Sequence, residues 1–419
     1  MKKATVALRV SAVVCLALAA GAAGRALPIA VGALALMAAL LLGFLAAAGA
    51  TTQARQMRLG SGDEDDFLAA NRSRSEGAAL AGRVGPWSPL RRRVARRCFG
   101  HRLLVGDRVR VKSLQAIRAT LDADGCLDGL PFMDEMAAHC GATYRVYRVL
   151  AKIYDYGRTR RMRRLDDCVL LVGLRCDGSA HGGCEASCYL IWKVQWLEED
   201  GSDDWAAPTS AAGALRTAIE PAATYRCQYT QLGAASQPMR PLAVHGLFGP
   251  LVTGNVNAAA FRIALLTRIF NAMQSRRGGP SYPARPSSIY DKGLAGPTLQ
   301  PGDWVRIKTP DELSRVLDAN SKHRGLWFDR DMLKHAGRRY RVRGRIERII
   351  DVKSGEMIAM KTPCIVLEGV HYSGEFQGFG EQHDFLYWRE VWLKPAAPPA
   401  GGERWIAGDD ALQPAEGMQ

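Results

Sequence analysis

Residues 173–197, GLRCDGSAHGGCEASCYLIWKVQWL, decide the fold because the chain carries them twice. The echo at 369–393, GVHYSGEFQGFGEQHDFLYWREVWL, lies 196 positions on (369 − 173). The same offset pairs GDRVRVK at 106–112 with GDWVRIK at 302–308. Between these anchors the copies align without a gap and agree at about 28 of about 92 positions, which marks one structural unit used twice. The first copy is rich in cysteine; the second has lost nearly all of it.

Each copy reads as a run of short strands. In GDRVRVK, Val109 and Val111 alternate with Arg108, Arg110 and Lys112, the period of a half-buried strand. The second copy repeats the pattern with Val305 and Ile307, then starts a helix at Thr309-Pro310-Asp311-Glu312: hydroxyl cap, proline first, acids in the first turn. That helix is expected to end near Asp318. Segments 144–154 and 340–350 are rich in β-branched and aromatic residues, and Val352-Lys353-Ser354-Gly355 reads as a hairpin turn. Short apolar runs end at Gly173 and Gly369. Trp192/Trp196 and Trp388/Trp392, four apart, fall on one face of a closing strand.

About five strands and one early helix per copy predict a mainly β protein built from two duplicated SH3-like small β-barrels. The opening G-D-x-V-R-[VI]-K resembles the first strand of SH3-like barrels, those of ribosome-associated and nitrile-hydratase-β types included. From 106 to 393, the stretches LDGLPFM, RCDGSAHGGCEASC, YRCQ (225–228), TGN (253–255), RGLWFD and YWREVWL resemble an uncharacterised bacterial family of tandem small-barrel proteins. Its members often accompany polysaccharide or secondary-metabolite genes, so the resemblance implies an accessory role.

The domain plan expected is a transmembrane helical hairpin at 1–50, a flexible basic tether at 51–104, and barrel copy one at 105–198. A linker with a helix at 257–277 fills 199–301, barrel copy two covers 302–396, and a disordered tail ends the chain at 397–419. Residues 4–50 are apolar apart from Arg9, Arg25 and Pro28, too long for one crossing, since about 20 helical residues span the hydrocarbon. A hairpin turning near Arg25 fits; a signal peptide followed by one span is the competing reading. Both readings leave the basic bulk of the chain cytoplasmic, at the inner face of a bacterial cytoplasmic membrane.

Lys and Arg exceed Asp and Glu by 56 to 41, with basic runs at 91–97, 158–164 and 338–348. Such an excess favours anionic partners, anionic lipid near Arg91 to Arg97 first among them. A solvated face is the bland reading of such runs. Nucleic acid ranks behind a cytoplasmic protein partner, because it needs aromatic rings exposed beside the charge.

Cys176, His181, Cys184 and Cys188 read C-x4-H-x2-C-x3-C inside one glycine-rich loop, and Cys140 can add a ligand from an earlier turn. Thiolates and imidazole at short spacing suit tetrahedral zinc, or less well an iron–sulfur cluster. Cys176–His181 resembles the CDGSH iron–sulfur motif, but Ala180 separates serine from histidine and no C-x-C lies upstream. In the second copy the four positions are Tyr372, Gln377, Gly380 and Asp384, so the topology does not depend on an ion. Free, partly buried thiols are the alternative. His139 and His335 recur before glycine turns and read as structural.

No phosphate-binding loop, dinucleotide fingerprint, nucleophile elbow or H-E-x-x-H is present. Two functions follow. One is a membrane-anchored, non-enzymatic scaffold presenting tandem barrels to a cytoplasmic partner. The other is a metal- or thiol-dependent accessory of a biosynthetic or redox enzyme, centred on the Cys176 to Cys188 loop.

Overall fold

Val109 and Val111 are wholly buried and Arg110 between them is exposed, so the first alternating segment builds a strand, β1 (Arg108–Val111). The computed structural model describes residues 88–398, except 157, 160, 201–223, 240–243, 257, 284–289, 292 and 378. Before β1 lies α1 (Ser88–Phe99), which carries the RRRVARR run. Arg92 of that helix pairs with Asp107, and Arg96 with Glu199. This run is therefore partly engaged by the first repeat.

After β1 come a short α2 (Leu114–Arg118) and the hairpin β2 (Cys126–Leu127) with β3 (Leu130–Pro131). A 3-10 turn at Asp134–His139 follows. Strands β4 (Thr143–Val149), β5 (Lys152–Tyr154), β6 (Met162–Arg164) and β7 (Cys168–Arg175) come next. The cysteine loop then leads into β8 (Tyr189–Lys193), a 3-10 turn at Val194–Trp196, and β9 (Leu197–Glu199). The principal sheet has the antiparallel order β8-β7-β4-β1-β9.

The linker supplies α3 (Gln228–Ala235), the short β10 (Gln237–Pro238), α4 (Val244–Thr253) and α5 (Ala258–Arg277). The second repeat then runs β11 (Trp304–Ile307), α6 (Pro310–Ser314), β12 (Lys322–His323) and β13 (Leu326–Trp327). It closes with β14 (Arg339–Ile350), β15 (Met357–Leu367) and β16 (Leu393–Pro395). Its sheet order is β15-β14-β11-β16.

The two sheets keep one register across the offset. Val109 faces Tyr144 and Val111 faces Leu197; Val305 faces Tyr340 and Ile307 faces Leu393. The expected cap of α6 is present: Thr309 Oγ1 accepts from Glu312 N, and Glu312 Oε2 accepts from Thr309 N at 2.8 Å. The helix stops at Ser314, earlier than expected.

The expected fold class needs correction in three respects. The sheets are curled, open half-barrels: β8 and β9 are the outer strands of the first sheet and do not pair with each other. Register shifts between Val146 and Arg148, Leu170 and Arg175, and Ile346 and Arg348 supply the curl. The open side of the first sheet is covered by side chains of the 3-10 turn and α3, Met136 and Ala235 among them. Second, the fold is mixed rather than mainly β, because the linker helices pack into it. Third, no helix among the described residues is long and apolar enough to cross a membrane. The hairpin expected at 1–50 and most of the tail at 397–419 lie outside the described residues.

The tryptophan pairs correct a smaller point. Trp192 lies in β8 and Trp196 sits on the following 3-10 turn, yet both are fully buried. Phe132 meets both edge-on, with ring centroids 6.4 and 5.4 Å away, as Phe328 meets Trp388 and Trp392 in the second repeat.

The repeats complete each other. Glu185, in the cysteine loop of repeat one, accepts from the backbone N–H of Glu347 (2.5 Å) and Arg348 (3.0 Å) of repeat two. Glu381, 196 positions later, accepts from Ala151 (2.7 Å) and Lys152 (2.9 Å) of repeat one, positions equivalent to 347 and 348. Gln382 brackets Tyr154 through its N–H and C=O, and Tyr147 Oη lies 2.9 Å from His383 Nδ1. Asn255 from the linker joins the seam, bonding both polar backbone atoms of Val149 and the Glu381 carboxylate. The same surface on each repeat thus receives the same loop of the other, the arrangement of an isologous dimer within one chain.

Candidate metal centre and inter-repeat cleft

The loop between β7 and β8 folds back on itself because glycine permits it. Gly178 has φ +75°, and a Cβ there would run into the Cys184 carbonyl; Gly374 repeats both features against Gly380. The turn lifts Cys176 and His181 toward the 3-10 turn that carries Glu135. Cys176 Sγ lies 3.5 Å from His181 Nδ1, which lies 3.8 Å from Glu135 Oε1. All three potential ligand atoms fall within 4.8 Å of one another.

His181 is buried and its Nε2 has no hydrogen-bond partner among the described residues, while the buried Glu135 carboxylate faces the Cys176 thiol and the His181 ring. Burial, then the charge of Glu135, pushes the Cys176 thiol well up. A thiolate at this position therefore calls for a cation beside it.

The other expected ligands, Cys184, Cys188 and Cys140, differ in where they sit. Cys184 and Cys188, with Cys227, line the same cavity of about 40 Å³ as Glu135, Cys176 and His181, but stand outside the group of three. Cys184 Sγ accepts instead from Ile350 N of repeat two at 3.4 Å. Cys140 packs at the edge of the first core, with the Arg118 charge as its electrostatic neighbour, and does not line that cavity. His139 and His335 hold Tyr144 and Tyr340 at 2.8 and 2.7 Å, which fits their structural reading.

Glu135 escaped the sequence reading, although its counterpart gave a signal: the residue 196 positions on is Asp331. In repeat two Asp331 pins the equivalent loop directly. It accepts from Ser373 N (2.6 Å), Gly374 N (3.1 Å) and Ser373 Oγ (3.0 Å), and Lys334 Nζ sits 3.1 Å away. Repeat one has the carboxylate without those donors, and has Cys176 and His181 opposite it.

The wall formed by Cys184 and Cys188 also faces a larger cleft, about 380 Å³, between the two repeats. Its lining is aromatic, with Tyr154, Tyr156, Trp327, Tyr372, Phe385 and Tyr387 around it. Asp384, the counterpart of Cys188, lies in this lining and its Oδ1 accepts from Tyr229 Oη at 2.7 Å. Burial pushes Asp384 up to about 6, against the hydrogen bond from Tyr229 and the charge of Arg175. Arg175 is itself stacked on Tyr189 and Phe385, at 3.6 and 4.2 Å from their ring centroids.

The chain matches no protein-family model and no curated protein.

Proposed function

We propose that the protein is a metal-dependent, non-enzymatic adaptor, in which Glu135, Cys176 and His181 hold one divalent transition-metal ion that pins the cysteine loop. The comparison of the two repeats carries this reading. In repeat two a buried acid, two loop amides, a serine hydroxyl and a lysine make the join. In repeat one the acid is retained without its donors, and a thiol and an imidazole stand where an ion would complete the join.

The spacing fits. Tetrahedral bonds of about 2.0–2.3 Å place ligand atoms about 3.5 Å apart, against the 3.5 and 3.8 Å found here. A mixed S, N, O donor set suits zinc better than calcium or magnesium. The cavity these three residues help to line, about 40 Å³, holds about two or three waters and no organic substrate. The ion is thus a staple for the loop that reaches repeat two, and the working face is the cleft that this loop helps to wall.

Protein purified from cells grown with ample zinc should carry about one zinc per chain by elemental analysis. Cys176→Ser combined with His181→Ala should remove it, because one remaining carboxylate is too few ligands for a closed site. Cys140→Ser should leave it in place. A chelator should lower the melting temperature of the parent protein and not that of the double variant. Metal-free parent protein, with Cys176 alkylated under native conditions, would overturn the proposal.

A further inference from the structure

The cleft between the repeats has a chemistry at odds with the rest of the chain. Overall charge is +15, yet the ionisable carboxylates and guanidinium groups lining the cleft are Asp155, Asp329 and Asp384 against Arg158. An acidic hollow in a basic protein repels the anions that its outer surface attracts. Its walls are aromatic, and each repeat contributes an exposed ring to the lining: Tyr156 is 45 % and Trp327 37 % exposed. Tyr156 packs edge-on against Tyr154 and Tyr372, with centroids 4.7 and 6.2 Å away.

We infer that this cleft is a binding site for a small organic cation, an alkyl- or arylammonium group seated among the tyrosine and tryptophan rings against Asp384. Three features converge on that class. Ring faces attract weakly hydrated cations, methylated ammonium groups above all. Asp384 lies among those rings with, among the described residues, only its Oδ1 engaged, by Tyr229, leaving the second oxygen to a ligand. A hollow of about 380 Å³ lies at the small end of sites for metabolite-sized molecules. A neutral apolar ligand would add nothing to the Tyr229 hydrogen bond and the Arg175 charge that offset the burial of Asp384, and an anion would face three carboxylates against one guanidinium.

The inference does not depend on the ion at Glu135, Cys176 and His181. Arg158 lines the cleft, Arg175 stacks on Tyr189 and Phe385 and reaches Ser187 O at 3.0 Å, and Arg343 lies over Phe385 at 4.8 Å, which leaves the tyrosine and tryptophan rings for a ligand.

The test is calorimetric titration of the full protein with choline, with phenethylamine, and with 3,3-dimethyl-1-butanol, the uncharged isostere of choline. One or both cations should bind, and the isostere at least about tenfold more weakly than choline. Asp384→Asn, with an unchanged circular dichroism spectrum, should weaken cation binding by at least about tenfold. Trp327→Ala, a change at the rim, should weaken it without altering the fold. Cys176→Ser should retain binding, which separates this site from the metal proposal. Equal affinity for choline and its isostere, undiminished binding by Asp384→Asn, or no binding of either cation up to about 10 mM would each overturn the inference.

Discussion

Asp384 stands where repeat one has Cys188, and the exchange puts a carboxylate into a largely dry wall. Its ordinary value of 3.8 rises to about 6 through burial. The folded state therefore holds the proton across a window in which the unfolded state has released it. Stability contributed at this site falls as pH rises from about 4 to about 6, and the loss is complete above that. The upper limit is about 3 kcal/mol, nearer 2 because water reaches the cleft. His335 acts in the opposite sense: burial takes it from 6.5 to about 3, so its contribution is lost as pH falls through that range. A difference measurement separates them. The melting temperature of Asp384→Asn relative to the parent should climb between pH 4 and pH 7; a flat difference would show that Asp384 is not raised.

Single residues also mark how far the chain could be read in advance. Cys176 and His181 were recognisable because their spacing is local. Glu135 belongs to the same cluster but arrives from a different turn, and a lone glutamate carries no pattern. Cys184 and Cys188 share the local spacing and line the same small cavity, yet Cys184 also meets Ile350 N of the other repeat, because spacing does not say which way a loop side chain turns. Cys140 packs at the edge of the first core, away from that cavity, which its place in the sequence does not show.

Among elements, alternation and turn chemistry located most strands, since burial on one face imposes a period that composition reveals. The last strand was over-extended. Tryptophans four apart suit either a strand or a turn, and here the chain turns at Val194 to deliver β9 onto β1. The basic run at 91–97 read as a tether, whereas Asp107 and Glu199, distant in sequence or hidden in a turn, engage it as a helix. The paired loops give the clearest test at this scale. Glu381 is buried and satisfies Ala151 N, Lys152 N and Asn255 Nδ2. Glu381→Ala strands these donors together and should cost about 3–5 kcal/mol. Glu185→Ala removes the equivalent bonds at a more exposed seam and should cost about 0.5–1.5 kcal/mol. Urea unfolding of the two variants gives the order directly; equal losses would refute the argument from burial.

At the scale of the molecule, duplication was plain from the offset, but mutual completion was not. An internal repeat states that two units share a fold; it is silent on whether each loop packs on its own sheet or on its neighbour's. The seam answers that: each glutamate and its flanking residue hydrogen-bond the backbone of the other repeat. A solitary repeat would keep its own core yet present an unsatisfied strand end and an unplaced loop. Cutting the chain between Pro283 and Tyr290, and producing the two fragments together with a tag on one, should therefore yield a stable complex in equal amounts. The linker helices should stay with the first fragment, since Gln228 binds both backbone groups of Ile191 and Asn255 both of Val149. Phe261 of α5 should then help to recruit the second fragment through its stacked contact with Phe379, at 5.5 Å between centroids. Either fragment alone should melt lower than the pair and show faster amide exchange at 150–154 or 346–350, the strand ends that the missing loop protects. Fragments that fail to associate, or a lone second repeat as stable as the whole, would mean that the seam contributes contacts without contributing folding.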